Sequence, residues 1–156
     1  MGKKVLIVGG VACGGKVAAR LRRLDPEAEI TVLEKGEFLS YAGCGLPFYV
    51  QGIVKEYRDL MSTPIGVIRD AAFFRKVKQV DVHIRHIATR IDRKGQKVVA
   101  VDLPTGQEKE FPYDELVLAT GGSPIRPSLP GIDLNHVYTL WTMDDALAMR
   151  AALDTG

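Results

Sequence analysis

Three groups of residues in this chain have types and spacings that could do chemistry. The first is Gly9-Gly10-Val11-Ala12-Cys13-Gly14, directly behind the apolar run Val5-Leu6-Ile7-Val8. A dinucleotide-binding turn wants glycine at the first, third and sixth positions: for the tight turn, close pyrophosphate approach and helix–strand packing. Gly9 and Gly14 fill the first and sixth, and Val11 takes the third. Amides at the helix start would still face a pyrophosphate, aided by the helix dipole. The competing reading is an ordinary glycine-rich connection. The second group is Glu34, about 20 residues further on, where a carboxylate can accept both hydroxyls of an adenosine ribose. Such an acid suits NAD or FAD and disfavours a 2′-phosphate; the plain alternative is a surface carboxylate.

The third group is Ser40-Tyr41-Ala42-Gly43-Cys44-Gly45-Leu46-Pro47-Phe48-Tyr49. Cys44 lies between two glycines, which clear space around its sulfur, and Pro47 is placed to start a helix. A thiol near a helix start is stabilised as the thiolate, with a pKa lowered from ~8.5 toward ~3.5–7.5. A free cysteine is otherwise most often a small buried hydrophobe. Cys13 fits that bland role better, as filler in a packed phosphate loop. A Cys13–Cys44 disulfide is not expected. His83, His86 and His136 have no metal-ligand spacing with either cysteine and read as surface or strand-packing residues, so no metal is expected.

The elements that must position these groups follow from hydrophobic periodicity. A buried strand at 5–8, a helix at 14–24 stopped by Asp25-Pro26, and a strand at 30–33 make a right-handed βαβ unit with parallel strands. A helix is expected over 65–78 behind Thr63-Pro64. Strand patterns at 80–87, 98–102 and 108–111, separated by Lys94-Gly95 and Thr105-Gly106, predict an antiparallel meander. Leu116-Val117-Leu118-Ala119 is another apolar strand, broken by Thr120-Gly121-Gly122, and a last helix pattern covers 143–153. The fold class is α/β: a Rossmann-like domain with a parallel sheet plus a small antiparallel β-meander.

Composition sets the outer bounds. The 156 residues are 46% apolar and 26% charged, which excludes intrinsic disorder. Lys and Arg number 21 against 19 Asp and Glu, so a dedicated nucleic-acid binder is not expected. Two cysteines make no disulfide scaffold. No apolar stretch is long enough for a membrane span, and the run behind Lys3-Lys4 lacks a cleavage site. The reading is a cytoplasmic protein with reduced thiols.

Together, Val-Gly-Gly-Val-Ala…Gly, Glu34, Ser-Tyr-x-x-Cys-Gly-Leu-Pro-Phe-Tyr and Leu118-Ala119-Thr120-Gly121-Gly122-Ser123-Pro124 resemble the single-cysteine pyridine nucleotide-disulfide oxidoreductases. The nearest branch is that of coenzyme A-disulfide and persulfide reductases. Cys13 departs from that pattern by replacing a glycine, Gly43 by replacing a common Asn, and Trp141 by falling where Arg is common. The resemblance implies FAD as cofactor, with Gly9, Ala12 and Gly14 at its pyrophosphate and Glu34 at its ribose. It further implies Lys35 beside the adenosine, main-chain groups of Ile87 and Ala88 at the adenine, and Thr120 and Gly121 along the flavin chain. Cys44 would be the redox nucleophile, and NAD(P)H the electron donor of the full-length enzyme.

Lys16, Arg20 and Arg23 form one basic stripe at i, i+4 and i+7, by spacing alone a solvated helix face. The resemblance makes it a dock for coenzyme A, together with Ser40, Gly43 and Lys78. It also implies that residues 1–156 are the first segment of a discontinuous FAD-binding domain. The NAD-binding unit, closing FAD segment and dimerisation domain would then be absent, and this stretch alone would be inactive. Small-molecule disulfides or persulfides are the expected partners, with a homodimer as the full-length assembly and neither nucleic acid nor membrane involved. The rival readings are an NADH oxidase or peroxidase cycling Cys44 through sulfenic acid, and a non-catalytic nucleotide-binding module.

Overall fold

A computed structural model describes residues 2–155; the first and last residues of the expected 1–156 segment lie outside the described range. The chain divides into two compact units, Met1–Ser40 with Arg69–Thr120 and Tyr41–Ile68 with Gly121–Gly156.

The first unit is built on a parallel sheet. Strand β1 (Lys4–Val8), helix α1 (Cys13–Leu24) and strand β2 (Glu29–Leu33) form the expected βαβ unit, with Val5 opposite Ile30 and Val8 opposite Leu33. Leu6 and Ile7 are both buried, because one sheet face meets helices and the other a second sheet. Helix α1 puts Ala18 against β1 and β2, and helix α3 (Ala71–Lys78) adds Phe74 to the same core. Strand β3 (Asp81–His83) pairs with β2, and β7 (Glu115–Leu118) pairs with β1, giving the parallel order β3-β2-β1-β7. Strands β4 (His86–Asp92), β5 (Lys97–Asp102) and β6 (Glu108–Pro112) form the antiparallel meander. Its Val98, Ala100 and Phe111 pack with Leu6 and Leu33.

Two sequence expectations are corrected here. The pattern at 80–87 is not one strand of the meander. It breaks at Ile84-Arg85, so Asp81–His83 joins the parallel sheet and only the residues from His86 onward join the antiparallel one. Arg85 takes a left-handed φ of 56°, and its N–H donates to Gly36 O at 3.0 Å. The helix expected over 65–78 begins only at Ala71. Asp70 caps it by accepting the Phe73 N–H at 2.8 Å, while residues before it form a turn closed by the Ser62–Ile68 bridge.

The second unit contains helix α2 (Leu46–Val50), which carries Pro47 in its first turn, and helix α4 (Met143–Thr155), which packs on it. A Thr142–Asp145 exchange opens α4: Thr142 Oγ1 accepts the Asp145 N–H at 3.2 Å, and Asp145 Oδ2 accepts the Thr142 N–H at 2.7 Å. Among the described residues no helix is long and apolar enough to cross a membrane.

Candidate active site

The glycine turn leaves β1 with Gly9 at φ +105°, a conformation natural only to glycine. A Cβ at Gly9 would stand 2.1 Å from the Ala119 carbonyl oxygen, and one at Gly14 would stand 1.7 Å from the Gly9 carbonyl oxygen. Both glycines are therefore required by close packing of the strand, the turn and α1. Ala12 and Cys13 open α1 and are exposed, no side chain caps its N-terminus, and its first turn holds no acid. Helix-start amides without a side-chain cap are what a pyrophosphate needs.

Cys13 corrects an expectation. It is exposed at the mouth of the loop and is not a packed filler. Its Cα falls at the first residue of α1, where side chains project outward while Gly14 and Gly15 take the buried positions.

Glu34 is no surface carboxylate. It is 6% exposed, and its oxygens accept the Gly10 N–H at 2.6 Å and the Gly36 N–H at 2.8 Å. An ionised carboxylate offers about four lone-pair sites, so two remain for hydroxyl donors. Its backbone is fixed as firmly: its N–H donates to His83 O and its carbonyl accepts the His86 N–H, both at 2.9 Å. Sequence reasoning saw Glu34 but missed these partners. The only sequence signal was the short spacing of Gly36 from Glu34.

Lys35 is exposed beside Glu34, and Ile87 and Ala88 follow on β4, before a register shift between Ala88 and Arg90. Thr120 is exposed just past β7. Ser40, the last residue of the unit's first segment, takes φ 49° and donates its N–H to Gly10 O at 3.2 Å. Lys16, Arg20 and Arg23 are all exposed on α1. Arg22 donates to the carbonyls of Lys78 and Gln79, tying the end of α1 to the end of α3, where Lys78 sits 5.7 Å from the Phe73 ring centroid.

The second unit holds Gly43, Cys44 and Gly121. Cys44 is exposed in a 3-10 turn, Gly43–Gly45, that leads into α2. The Gly45 N–H donates to Ala42 O at 2.9 Å, and the Ala42 N–H to Leu60 O at 2.8 Å. A Cβ on Gly45 would meet Leu60 Cδ2 at 2.5 Å, whereas Gly43 faces open space. The buried Leu46 anchors this turn and leaves the thiol outside. Gly121 has φ +67°.

The histidines are strand-packing in two cases and exposed in the third. His83 and His86 lie with ring centroids 5.2 Å apart, and His83 stands edge-on to Phe111 at 5.0 Å. Burial pushes the His83 imidazole below its ordinary pKa, against the opposing pull of Asp81 at 2.8 Å. His136 is exposed beside Tyr138.

A parallel sheet opened by such a glycine turn, with a buried acid closing on it and an antiparallel accessory sheet, defines a Rossmann-like oxidoreductase fold. The match to the pyridine nucleotide-disulphide oxidoreductase family covers residues 3–155, and the chain belongs to that family. It is 34% identical over 152 residues to the coenzyme A disulfide reductase of Staphylococcus haemolyticus, covering 97% of this chain and 32% of that protein. It is 36% identical over 154 residues to the NAD(P)H coenzyme A polysulfide/persulfide reductase of Pyrococcus horikoshii, covering 99% and 32%. Among solved structures, the NAD-dependent persulfide reductase from A. fulgidus superposes with a TM-score of 0.93 at 42% identity, covering 98% of this chain and 28% of that one. The chain thus spans about a third of the length of the curated relatives it matches.

Proposed function

We propose that this chain is the FAD-binding segment of an NAD(P)H-dependent reductase of coenzyme A disulfide or persulfide, acting through Cys44 as its single redox cysteine. The observation that carries the reading is the Gly9–Gly14 turn. Its uncapped helix start and two sterically obligatory glycines fit a pyrophosphate, and the buried Glu34 beside it has acceptor capacity left for a ribose. Gly9, Ala12 and Gly14 would hold the pyrophosphate, Glu34 the ribose and Ile87 with Ala88 the adenine, while Thr120 and Gly121 would border the flavin chain.

Bound FAD would supply two-electron transfer from NAD(P)H. The exposed Cys44 thiolate would attack one sulfur of a disulfide, forming a new S–S bond to Cys44 and expelling the other half as a thiolate that takes up a proton. Reduction of the mixed disulfide by that electron pair would release the second thiol and restore the Cys44 thiolate. The exposed cations Lys16, Arg20 and Arg23 would favour a phosphorylated substrate such as coenzyme A, with Ser40, Gly43 and Lys78 as further contacts. A homodimer in the cytoplasm is part of the same proposal.

A second reading is an NADH oxidase, as a Methanocaldococcus jannaschii relative 31% identical over 147 residues is named. There Cys44 would pass through sulfenic acid. The test is twofold. Flavin absorption in the visible after loading with FAD supports the cofactor reading. Coenzyme A carried on Cys44 supports the reductase, and a dimedone adduct there supports the oxidase.

A further inference from the structure

Glu34 is held from both sides of its peptide by one short segment. His83 O accepts the Glu34 N–H and the His86 N–H donates to the Glu34 carbonyl, so the turn from His83 to His86 brackets the residue. Arg85 continues the clamp through its N–H to Gly36 O, and its own carbonyl accepts the Leu103 N–H at 2.8 Å. Any displacement of His83 is therefore delivered to Glu34 and Gly36, and through the carboxylate to the Gly10 amide.

The hydrogen bonds around the two rings define their neutral forms. His86 Nδ1 lies 2.8 Å from Ile84 O, an acceptor, so it carries a proton. His83 Nε2 donates to Asp81 Oδ2 at 2.8 Å, which leaves His83 Nδ1 as the bare nitrogen. The His83 side chain is only 18% exposed and packs on Phe111. A second proton would place a cation there. The groups around it are Asp81 on β3, Arg75 on α3 at 3.5 Å from Asp81, His86 on β4 and Lys109 on β6 with its Nζ 5.1 Å from the Phe111 ring centroid, while Glu34 meets His83 through the backbone alone. Asp81 attracts the cation but is shared with Arg75, while Lys109 repels it.

We propose that His83 and His86 are positioning residues for Glu34, and that protonating His83 loosens the Glu34 carboxylate from the Gly10 and Gly36 amides. Resting on the FAD reading, this couples His83 protonation to the grip on the adenosine ribose. The protonated ring moves off Phe111 toward Asp81 and solvent, and the carbonyl that accepts the Glu34 N–H moves with it. Nucleotide affinity then falls in mild acid through a residue that never touches the nucleotide.

The test follows the Gly10 and Gly36 amide resonances of the uniformly labelled protein without cofactor, from about pH 8 to about pH 5, across the range in which histidine titrates. Both amides should shift with one midpoint below the ordinary histidine value. His83→Gln, which keeps a donor to Asp81 but cannot titrate there, should remove that transition. Lys109→Gln, an exposed change that removes the repelling charge, should move the midpoint to higher pH. FAD affinity, read by flavin fluorescence, should fall about fivefold or more over the same interval in the unsubstituted protein and stay flat in His83→Gln. Amides that do not titrate, or that titrate identically in His83→Gln and Lys109→Gln, overturn the coupling whatever FAD does. Amides that titrate as expected in a protein that binds no FAD at either pH uphold the positioning role and overturn the flavin reading instead.

Discussion

The Glu34 carboxylate and the Gly10 amide meet at 2.6 Å in a buried setting, so the acid at the end of β2 is part of the glycine turn's own structure. Glu34→Gln exchanges one acceptor oxygen for an NH₂ group, which would face either the Gly10 or the Gly36 donor. An unsatisfied buried donor costs about 1–3 kcal/mol. Urea unfolding should show a loss in that range, and FAD affinity should drop about tenfold or more, on the scale of a hydrogen bond to a charged group.

The two loop glycines and Gly43 should behave oppositely. Gly14→Ala drives a methyl to 1.7 Å from the Gly9 carbonyl oxygen and must push α1 away from β1. We expect a loss of at least ~2 kcal/mol by thermal unfolding, the upper range of overpacking costs. Gly43→Ala meets nothing within 4 Å and should change stability by no more than ~0.5 kcal/mol. Gly43→Asn should be equally tolerated, and it should tighten coenzyme A binding in calorimetry by restoring a side-chain donor.

His83 makes stability depend on pH in a defined direction. Burial lowers its pKa in the folded protein below the 6.5 of the free side chain. The folded state therefore binds fewer protons than the unfolded one in this window. The stabilisation is complete above 6.5 and is lost as pH falls from there through the folded value. Denaturation midpoints measured across mild acid should decline for the unsubstituted protein and decline less for His83→Gln.

Much of this architecture was legible in the residues. The spacing of Gly9, Gly14 and Glu34 sufficed to place a strand, a turn, a helix and an acid, because a βαβ unit tolerates few other arrangements. The break at Ile84-Arg85 was not legible. A left-handed arginine carries no sequence mark, and a continuous β-rich pattern conceals the switch from one sheet to another. The late start of α3 was hidden because the Asp70 cap outcompeted the Thr63-Pro64 signal. Cys13 was misread for a related reason. Loop membership said nothing about which face of the first helical turn it occupied.

With both cysteines exposed, alkylation should label both in the protein without cofactor. Added FAD should shield Cys13, which opens the helix proposed to face the pyrophosphate. Peptide mapping with and without FAD reads this directly. Unchanged Cys13 labelling in demonstrably flavin-loaded protein would place the pyrophosphate elsewhere.

Cys44 as the nucleophile toward a coenzyme A-linked sulfur is the centre of the proposed function. The most direct measurement is mass mapping of the FAD-loaded protein after reaction with coenzyme A disulfide in the absence of NAD(P)H. One coenzyme A held by a reducible bond on the peptide containing Cys44 is expected, with free coenzyme A released in equal amount and no adduct in Cys44→Ser. An adduct confined to Cys13, or no adduct while Cys44 remains alkylatable, would contradict it.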